Sequence, residues 1–361
     1  MCPAGSVHRM TTADLVDGDV EGIDAERVTK WFSSHVAGCV PPLTFELIAG
    51  GRSNLTYRVA DSSGRVYALR RPPLSHVLPT AHDMAREFRV ITAVGLTAVP
   101  VPETYGLCED PEVNGQPFYV MEFMEGHIIR DAAAAARDLD EKARRRAGES
   151  LADTLATLHA VDVDAVGLGD FAKRDGYIER QLRRWYEQFR NSQVDGLDTA
   201  TIVGAVHEQL SSRIPPQVGT SIVHGDYRLD NTVLSSDGDV RAVLDWEICT
   251  LGDPLADVGL LMVYWTDPGD DAALLGVTPT TVAGFPNKAE MRARYASTSG
   301  RDLQHLDYYV AFGYWKLACI IQGVYARYVG GAAAGDRSSV DDFGNSVVRL
   351  AEMARGALDA S

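Results

Sequence analysis

The chain has 361 residues, 45% of them hydrophobic and 23% charged, which is typical of a globular protein large enough for two lobes. Its net charge of -16 argues against a surface for nucleic acid or for anionic membranes. The five cysteines form no Cys-x-x-Cys pair, and neither a secretion signal nor a stretch of membrane-spanning length is present. We therefore expect a cytoplasmic protein without nucleic-acid or membrane partners, whose oligomeric state the sequence does not indicate.

The region that follows a predicted amphipathic helix at residues 24–36 has the pattern of a small antiparallel sheet. Polar, glycine-containing segments separate three β-rich runs at residues 43–49, 55–60 and 66–70. The first connection, residues 50–54, could bring backbone amides close to a phosphate because its glycines leave room, although Gly-Gly is also an ordinary hairpin turn.

The third strand carries a small residue and a cation on one face. Alternation places Val66, Ala68 and Arg70 together. Ala68-Leu69-Arg70 corresponds to the Ala-x-Lys of the protein-kinase third strand, where alanine leaves room for adenine and the cation reaches the phosphates. Arginine replaces lysine here, but its forked guanidinium also binds phosphate.

A helix predicted at residues 80–95 places a carboxylate in its apolar stripe. Met84, Phe88 and Ile91 form the stripe and Glu87 falls inside it. A carboxylate on the buried side of a helix needs a partner. We expect an ion pair between Arg70 and Glu87, as in active kinases; surface pairing of Glu87 with a neighbouring arginine is the alternative.

Two further strands, at residues 104–108 and 118–121, bracket a predicted Asn114-Gly115 turn and complete a five-stranded sheet. The segment that leaves the sheet stands where a kinase hinge offers backbone groups to adenine. On this interpretation Met121 lies at the back of the adenine pocket, and Glu122 and Met124 belong to the hinge.

From about residue 139 the pattern is mainly helical. The predicted helices share apolar periodicity and span residues 139–161, 175–192, 199–213, 288–298, 303–328 and 340–357. The predicted fold is α+β: a protein-kinase-like two-lobe fold with a small five-stranded antiparallel sheet lobe and a larger helical lobe. We predict an N-terminal extension and helix at 1–40, a nucleotide-binding lobe at 41–124 and a catalytic and substrate lobe at 125–361.

A loop between these helices carries the most informative motif. His224-Gly225-Asp226 is followed by Asn231 and, fourteen residues after that, by Asp245-Trp246-Glu247. The spacing matches the kinase pattern H-R-D-x-x-x-x-N followed by D-F-G. The β-rich pattern of residues 232–234 and 240–244 predicts a hairpin around a polar turn, which would return Asp245 to the loop. Carboxylate and amide oxygens suit Mg²⁺, so Asn231 and Asp245 are the predicted metal ligands.

With Gly50-Gly51-Arg52-Ser53-Asn54 upstream and residues 252–257 downstream, these motifs resemble the aminoglycoside phosphotransferase and choline kinase superfamily. Residues 50–54, 69–73 and 108–111 make the chain similar to the branch that contains the kinase-like domains fused to acyl-CoA dehydrogenases. The resemblance covers roughly residues 40–330. Asp253 and Asp257 resemble positions at which that superfamily supports the catalytic segment.

The resemblance implies a phosphotransferase that uses ATP and Mg²⁺ and a small-molecule hydroxyl acceptor. Asp226 would orient the hydroxyl and accept its proton, and Arg228 could neutralise charge on the transferred group. The residues expected to bind the nucleotide are Gly51, Ser53, Asn54, Ala68, Arg70, Glu87, Met121, Glu122 and Met124. The acceptor could be an aminoglycoside, a hydroxyacyl-CoA or another hydroxylated metabolite.

Three alternatives remain beside this hypothesis. A non-catalytic kinase-like nucleotide-binding module is opposed by the presence of Asp226, Asn231 and Asp245 together. A metal-dependent hydrolase lacks further His and Asp ligand clusters. A protein kinase is disfavoured because only nine residues join Asp245 to the helix predicted at Pro254, which leaves no room for a long activation loop.

Overall fold

The computed structural model describes residues 20–49, 54–74, 83–194, 198–270, 278–329 and 340–360. The chain divides into two compact units. One comprises Met1–Ala85 and Thr104–Phe123, and the other comprises Arg86–Glu103 and Met124–Ser361. The domain limits at residues 40 and 124 stay a prediction. Within the described ranges no helix combines the length and apolarity that crossing a membrane requires.

The first unit contains a five-stranded antiparallel sheet. Its strands are β1 (Leu43–Ala49), β2 (Leu55–Asp61), β3 (Val66–Arg71), β4 (Thr104–Cys108) and β5 (Phe118–Glu122), in the spatial order β1-β2-β3-β5-β4. The tight β2–β3 turn forms because the Asp61 carboxylate accepts the backbone N–H groups of Ser63 and Arg65 at 2.9 and 3.0 Å. These strands confirm the sheet that alternation in the sequence predicted.

Helix α1 (Ala25–His35) supplies much of the core of this unit. The Asp24 carboxylate caps it by accepting the N–H of Arg27 at 3.0 Å. Trp31 lies edge-on to Phe118 with ring centroids 4.9 Å apart. Gly106 allows this approach, since a Cβ atom there would lie 2.9 Å from the Trp31 ring. The helix predicted at residues 24–36 is therefore confirmed.

The connection between β4 and β5 differs from the predicted turn. A short helix, α3 (Pro111–Asn114), follows Asp110, whose carboxylate accepts the N–H of Glu112 at 2.9 Å. Pro111 fits the first turn of a helix because backbone N–H groups there have no partner within the helix, and proline has no N–H to leave unpaired. Gly115, at φ 70°, ends this helix instead of forming a two-residue hairpin turn with Asn114.

Helix α2 (Met84–Val94) occupies the later part of the helix predicted at residues 80–95. Its predicted N-cap, Thr80, lies outside the described residues. Met84, Glu87 and Ile91 are each 2% exposed. The carboxylate is thus on the buried side of the helix, as the apolar stripe predicted.

The second unit is mainly helical. Its helices are α4 (Ala132–Asp138), α5 (Glu141–His159), α6 (Tyr177–Arg190), α7 (Ala200–Ser212), α8 (Leu255–Tyr264), α9 (Lys288–Ser299), α10 (Leu306–Val329) and α11 (Val340–Asp359). The six helices predicted beyond residue 138 are confirmed to within three residues at each end. The sequence did not predict α4, which begins where the Asp131 carboxylate accepts the N–H of Ala134 at 2.7 Å.

Two small antiparallel sheets position the catalytic motif. Strand β6 (Ser221–Val223) pairs with β9 (Thr250–Gly252), and β7 (Thr232–Leu234) pairs with β8 (Val240–Val243). The β7–β8 hairpin is the predicted one. Strand β9 was not predicted.

Helices α8 and α10 approach closely at a glycine. A Cβ atom on Gly259 would lie 2.5 Å from the backbone carbonyl carbon and oxygen of Tyr309. Backbone atoms cannot rotate away as a long side chain can, so a larger residue forces the two helices apart. Asp253, Asp257 and Lys316 lie in or beside these two helices, so this contact influences the site described below.

We predict that Gly259→Ala lowers the free energy of unfolding by about 1–3 kcal/mol because it overpacks this contact. Urea denaturation checks this. Gly356→Ala is the matched control, since Gly356 also lies in a helix but a Cβ atom there meets nothing within 4 Å. The control should be neutral or stabilising by up to about 1 kcal/mol. Equal stability of the two variants would contradict the close approach.

Candidate active site

The loop after β6 presents Asp226 beside Asn231. Gly225 adopts φ 86°, a conformation that glycine accepts without strain. A single 3-10 turn, Leu229–Asn231, ends the loop. The Asn231 side-chain NH2 group donates to the Asp226 carbonyl at 2.8 Å and to its carboxylate at 2.9 Å. The side chain of Asp226 is 28% exposed, so it is both oriented and accessible.

The hairpin returns the chain to this loop. The N–H of Leu244 donates to the Asn231 carbonyl at 2.8 Å. Asp245 directly follows Leu244 in the chain, so this hydrogen bond brings it close to Asn231. Asp245 has φ 63° and is the one non-glycine residue with positive φ in the described part of the chain. Such backbone conformations concentrate at functional sites. The structure therefore brings both predicted metal ligands to one end of the hairpin.

His224 orders the loop. The N–H of Asp226 lies 3.3 Å from its Nδ1, and its Nε2 lies 2.9 Å from the Leu244 carbonyl. A carbonyl only accepts and a backbone N–H only donates, so we assign the proton to Nε2. The ring is buried and lies 4.8 Å from the Trp246 ring. His224 thus links the backbone of Asp226 to the strand that leads to Asp245.

A buried carboxylate on α8 holds the beginning of the loop. Asp257 is 1% exposed, and its two oxygens accept the N–H groups of His224 at 2.7 Å and of Gly225 at 2.8 Å. His159 Nε2 lies 3.3 Å from the same carboxylate. Burial alone would raise the pKa of Asp257, but the hydrogen bonds from His159 and from the Gly225 N–H lower it. The ionised carboxylate is therefore the form that fixes the loop.

Asp253 performs a similar structural task at the start of α8. Its carboxylate accepts the Tyr309 hydroxyl at 2.7 Å, the N–H of Val218 at 3.1 Å and the N–H of Leu255 at 3.0 Å. It thereby connects α8 to α10 and to the segment that precedes β6. Supporting roles for Asp253 and Asp257, implied by the family resemblance, agree with these contacts.

Arg228 joins two carboxylates of the loop. Its Nε lies 3.3 Å from Asp226 Oδ2 and 3.0 Å from Asp230 Oδ1, and its guanidinium carbon lies 4.8 Å from the Tyr264 ring centroid. Burial opposes the charge, but attraction from the two carboxylates outweighs it and raises the pKa of Arg228. A cation held beside Asp226 can interact with negative charge that develops nearby.

Sequence reasoning missed Asp230 and the cavity that it borders. This cavity has a volume of about 370 Å³, and the loop residues Arg228, Leu229 and Asp230 form part of its wall. The remainder is mostly apolar and includes Leu261, Trp265, Leu317, Ile321 and Leu350. Burial raises the pKa of Asp230. Asp230 falls in the unspecified part of the D-x-x-x-x-N spacing, so no sequence signal distinguished it.

The oxygen donors at the end of the hairpin fit Mg²⁺. Asn231 uses its NH2 group to bind Asp226, so its amide oxygen is not needed for those bonds. Asp245 supplies a carboxylate. No cluster of three His, Cys, Asp or Glu side chains suited to a metal occurs among the residues that the structure describes. Mg²⁺ needs no such cluster, because one or two carboxylates together with phosphate and water fill its shell.

The residues predicted to bind the nucleotide lie in both units. Within the sheet, Ala68 pairs directly with Met121, and both are buried. Asn54 is buried before β2, while Arg70 is half-buried in β3 and Glu122 half-buried at the end of β5. In the second unit, Glu87 is buried and Met124 is half-buried. Gly51 and Ser53 lie outside the described residues. The Arg70–Glu87 ion pair and the nucleotide contacts stay predictions.

This combination of kinase-like sheet, catalytic loop and returning hairpin defines a phosphotransferase class, and comparison with known proteins agrees. A family model described as the phosphotransferase enzyme family (APH) matches residues 44–293. The match spans more than half of the 361 residues, and the chain belongs to this family.

Individual proteins support the same assignment. A crystal structure of a candidate aminoglycoside phosphotransferase from Ralstonia eutropha is 33% identical, with a TM-score of 0.77, and the alignment covers 93% of this chain and 98% of that one. Plasmodium vivax ethanolamine kinase shares the fold at 14% identity, with a TM-score of 0.60 over 91% of this chain and 88% of that chain. The predicted kinase-like fold is confirmed.

Mouse acyl-CoA dehydrogenase family member 10 is 34% identical over 327 residues, which are 89% of this chain and 29% of the relative. The chain spans less than half the length of the curated relatives it matches. This likeness confirms the predicted similarity to the kinase-like domains of acyl-CoA dehydrogenase fusion proteins.

The buried pair of His159 and Asp257 predicts how stability depends on pH. Burial lowers the pKa of His159, so the unfolded chain binds a proton below pH ~6.5 that the folded protein does not bind. The contribution of His159 to the free energy of unfolding is therefore complete above that pH and declines as the pH falls. Between pH 7 and 5.5 the free energy of unfolding should fall by about 1 kcal/mol less in His159→Gln than in the unmodified protein, as measured by denaturation at several pH values.

Tyr295→Phe is the control for this prediction. The Tyr295 hydroxyl lies 2.8 Å from His159 Nδ1, so its removal costs stability but leaves the titrating ring in place. That variant should keep most of the pH dependence. If His159→Gln has the slope of the unmodified protein, the neutral buried histidine is not its source.

Proposed function

We propose that this protein transfers the γ-phosphoryl group of ATP, with Mg²⁺, to a hydroxyl group of a small molecule. The observation that carries the proposal is the accessible carboxylate of Asp226, which Asn231 contacts at 2.9 Å and Arg228 at 3.3 Å. Asp257 fixes the backbone immediately before it. Phosphoryl transfer depends mainly on positioning and electrostatic stabilisation, and this loop supplies both.

In the proposed reaction Asp226 orients the acceptor hydroxyl and accepts its proton. Asn231 holds the Asp226 carboxylate in place through its NH2 group. Arg228 lies close enough to Asp226 to stabilise negative charge on the transferring group. His224 and Asp257 keep the loop in one conformation, so little reorganisation is needed when the acceptor binds.

The proposed ligands of Mg²⁺ are the Asn231 amide oxygen and the Asp245 carboxylate. When bound, Mg²⁺ would neutralise charge on the nucleotide phosphates. The residues proposed to bind ATP are Gly51, Ser53, Asn54, Ala68, Arg70, Glu87, Met121, Glu122 and Met124. Support comes from the kinase-like fold and from the pairing of Ala68 with Met121 in the sheet.

The cavity beside the loop favours one class of acceptor. Its wall is mostly apolar and includes the cations Arg130 and Arg228 and a single carboxylate, Asp230. Arg228 is paired with Asp226 and Asp230, so this wall offers no excess of negative charge to attract a polycationic aminoglycoside, whereas an apolar chain gains free energy by leaving water. The acyl chain of a hydroxyacyl-CoA suits this apolar lining, and the name of the mouse acyl-CoA dehydrogenase relative refers to acyl-CoA compounds. We therefore propose a hydroxyl group on an acyl chain as the acceptor.

Replacement of Asp226 tests the catalytic proposal. Asp226→Asn should lower kcat roughly a hundredfold to ten-thousandfold because a positioned proton acceptor is lost, while the affinity for Mg²⁺-ATP stays within about threefold. ADP release and phosphate transfer to product measure kcat. Asp237→Asn, which changes an exposed carboxylate in the β7–β8 turn, should retain full activity.

Turnover that is unchanged in Asp226→Asn across all acceptors would reject the proposed role of Asp226. Nucleotide binding without phosphate transfer to any acceptor would instead favour the non-catalytic module. Absence of ATP binding in the presence of Mg²⁺ would overturn the proposal as a whole.

An acceptor series tests the cavity. With hydroxyacyl-CoA compounds of increasing chain length, kcat/KM should rise by about fourfold per buried methylene, which corresponds to ~0.8 kcal/mol. Ile321→Trp should raise the KM of the long-chain acceptors at least tenfold by filling the cavity and leave the KM for ATP unchanged. Leu96→Trp, at a side chain that is 80% exposed, is the control. A preference for aminoglycosides would contradict this assignment.

A further inference from the structure

Lys316 is a buried cation that the proposed mechanism does not use. It lies in α10 and is 6% exposed. In the sequence it interrupts an otherwise apolar run at residues 308–321. Its ammonium nitrogen donates a hydrogen bond to the Gly225 carbonyl at 3.0 Å and lies 5.5 Å from the Trp185 ring centroid. A buried charge is costly unless polar or charged neighbours compensate it.

The compensation comes from the catalytic loop. Burial lowers the pKa of Lys316, and the carboxylates of Asp226 and Asp257 oppose that shift. Both carboxylates therefore lie near enough to attract the ammonium group. A methionine of similar length would fill the same space without losing the hydration of a charge. Core packing alone gives no reason for the ammonium group or for its direction.

The contacts of Lys316 and Asp257 act on opposite sides of Gly225. Asp257 accepts the Gly225 N–H at 2.8 Å, and Lys316 donates to the Gly225 carbonyl at 3.0 Å. That carbonyl belongs to the peptide group that leads directly into Asp226. Glycine has the greatest backbone freedom of any residue, so fixing both of its peptide groups restricts the direction in which Asp226 points.

We propose that Lys316 is a positioning residue that aligns Asp226 for phosphoryl transfer through the peptide group between Gly225 and Asp226. The expected effect of Lys316 on turnover rests on the proposed function, whereas its expected effect on the order of the loop does not. Misalignment of a reacting group by about 1 Å can cost on the order of a hundredfold in rate. Lys316 should therefore affect the chemical step more than the binding of nucleotide or acceptor.

Three substitutions at this position separate charge, hydrogen bonding and packing. Lys316→Met keeps the length of the side chain and removes the ammonium group. Lys316→Gln keeps a donor without the charge, and Lys316→Arg keeps a charged donor. Lys142→Met, at an exposed position of α5, is the control for loss of a lysine. Circular dichroism and Mg²⁺-ATP titration establish that each variant is folded.

The kinetic measurement determines whether substitution of Lys316 changes kcat or KM. Lys316→Met should lower kcat about tenfold to a hundredfold, with the KM for acceptor and the Kd for Mg²⁺-ATP within about twofold. The kcat of Lys316→Arg should be at least fivefold higher than that of Lys316→Met. A kcat within twofold of the unmodified protein in Lys316→Met, or equal loss in the Arg and Met variants, would overturn the proposal. If Lys316→Met does not fold, Lys316→Gln and Lys316→Arg give the same comparison.

A measurement that needs no turnover keeps this proposal separate from the proposed function. Hydrogen exchange in the peptide that covers residues 221–231 should be faster in Lys316→Met or Lys316→Gln and unchanged in Lys142→Met. Unchanged exchange in the Lys316 variants would overturn the proposal. If the unmodified protein turns over no acceptor, the proposed function fails, and the exchange result still decides whether Lys316 orders the loop.

Discussion

The carboxylate of Asp257 is the interaction on which the catalytic loop depends. It accepts two consecutive backbone N–H groups at the point where the chain leaves β6, at 2.7 and 2.8 Å. A buried carboxylate is stable only when hydrogen bonds replace its lost hydration, and His159 contributes to that replacement at 3.3 Å. The carboxylate and the loop therefore stabilise each other: His159 and the loop amides donate hydrogen bonds that favour the ionised form of Asp257, and Asp257 fixes the turn before Asp226.

The remaining contacts of the site extend from this turn. His224 joins the Asp226 backbone to the end of the β7–β8 hairpin, and Asn231 holds the Asp226 carboxylate. Lys316 reaches the same turn from α10. Asp226 thus stands on a backbone that two helices and a hairpin fix, while its side chain stays partly exposed. This arrangement suits a reaction in which alignment contributes most of the rate enhancement.

Membership of the phosphotransferase enzyme family establishes the class of chemistry, and the proposed acceptor rests on the surroundings of the loop. The cavity wall is apolar at Leu261, Leu317 and Ile321 and carries the opposite charges of Arg228 and Asp230. Solved structures that share this fold carry names as different as ethanolamine kinase and aminoglycoside phosphotransferase. The composition of the cavity is therefore a better guide to the acceptor than the catalytic motif, which the reaction itself requires.

The sequence by itself predicted the five-stranded sheet, the main helices and the grouping of Asp226, Asn231 and Asp245, because these depend on local periodicity and on spacing within one hairpin. It missed helix α3, strand β9 and the contacts of Asp230 and Lys316. Lys316 is 91 residues from the carbonyl that it contacts, and no local pattern encodes such a pairing. Only the tertiary structure decided what surrounds Asp226, because packing of α8 and α10 brings the distant charges of Asp257 and Lys316 to the two peptide groups of Gly225.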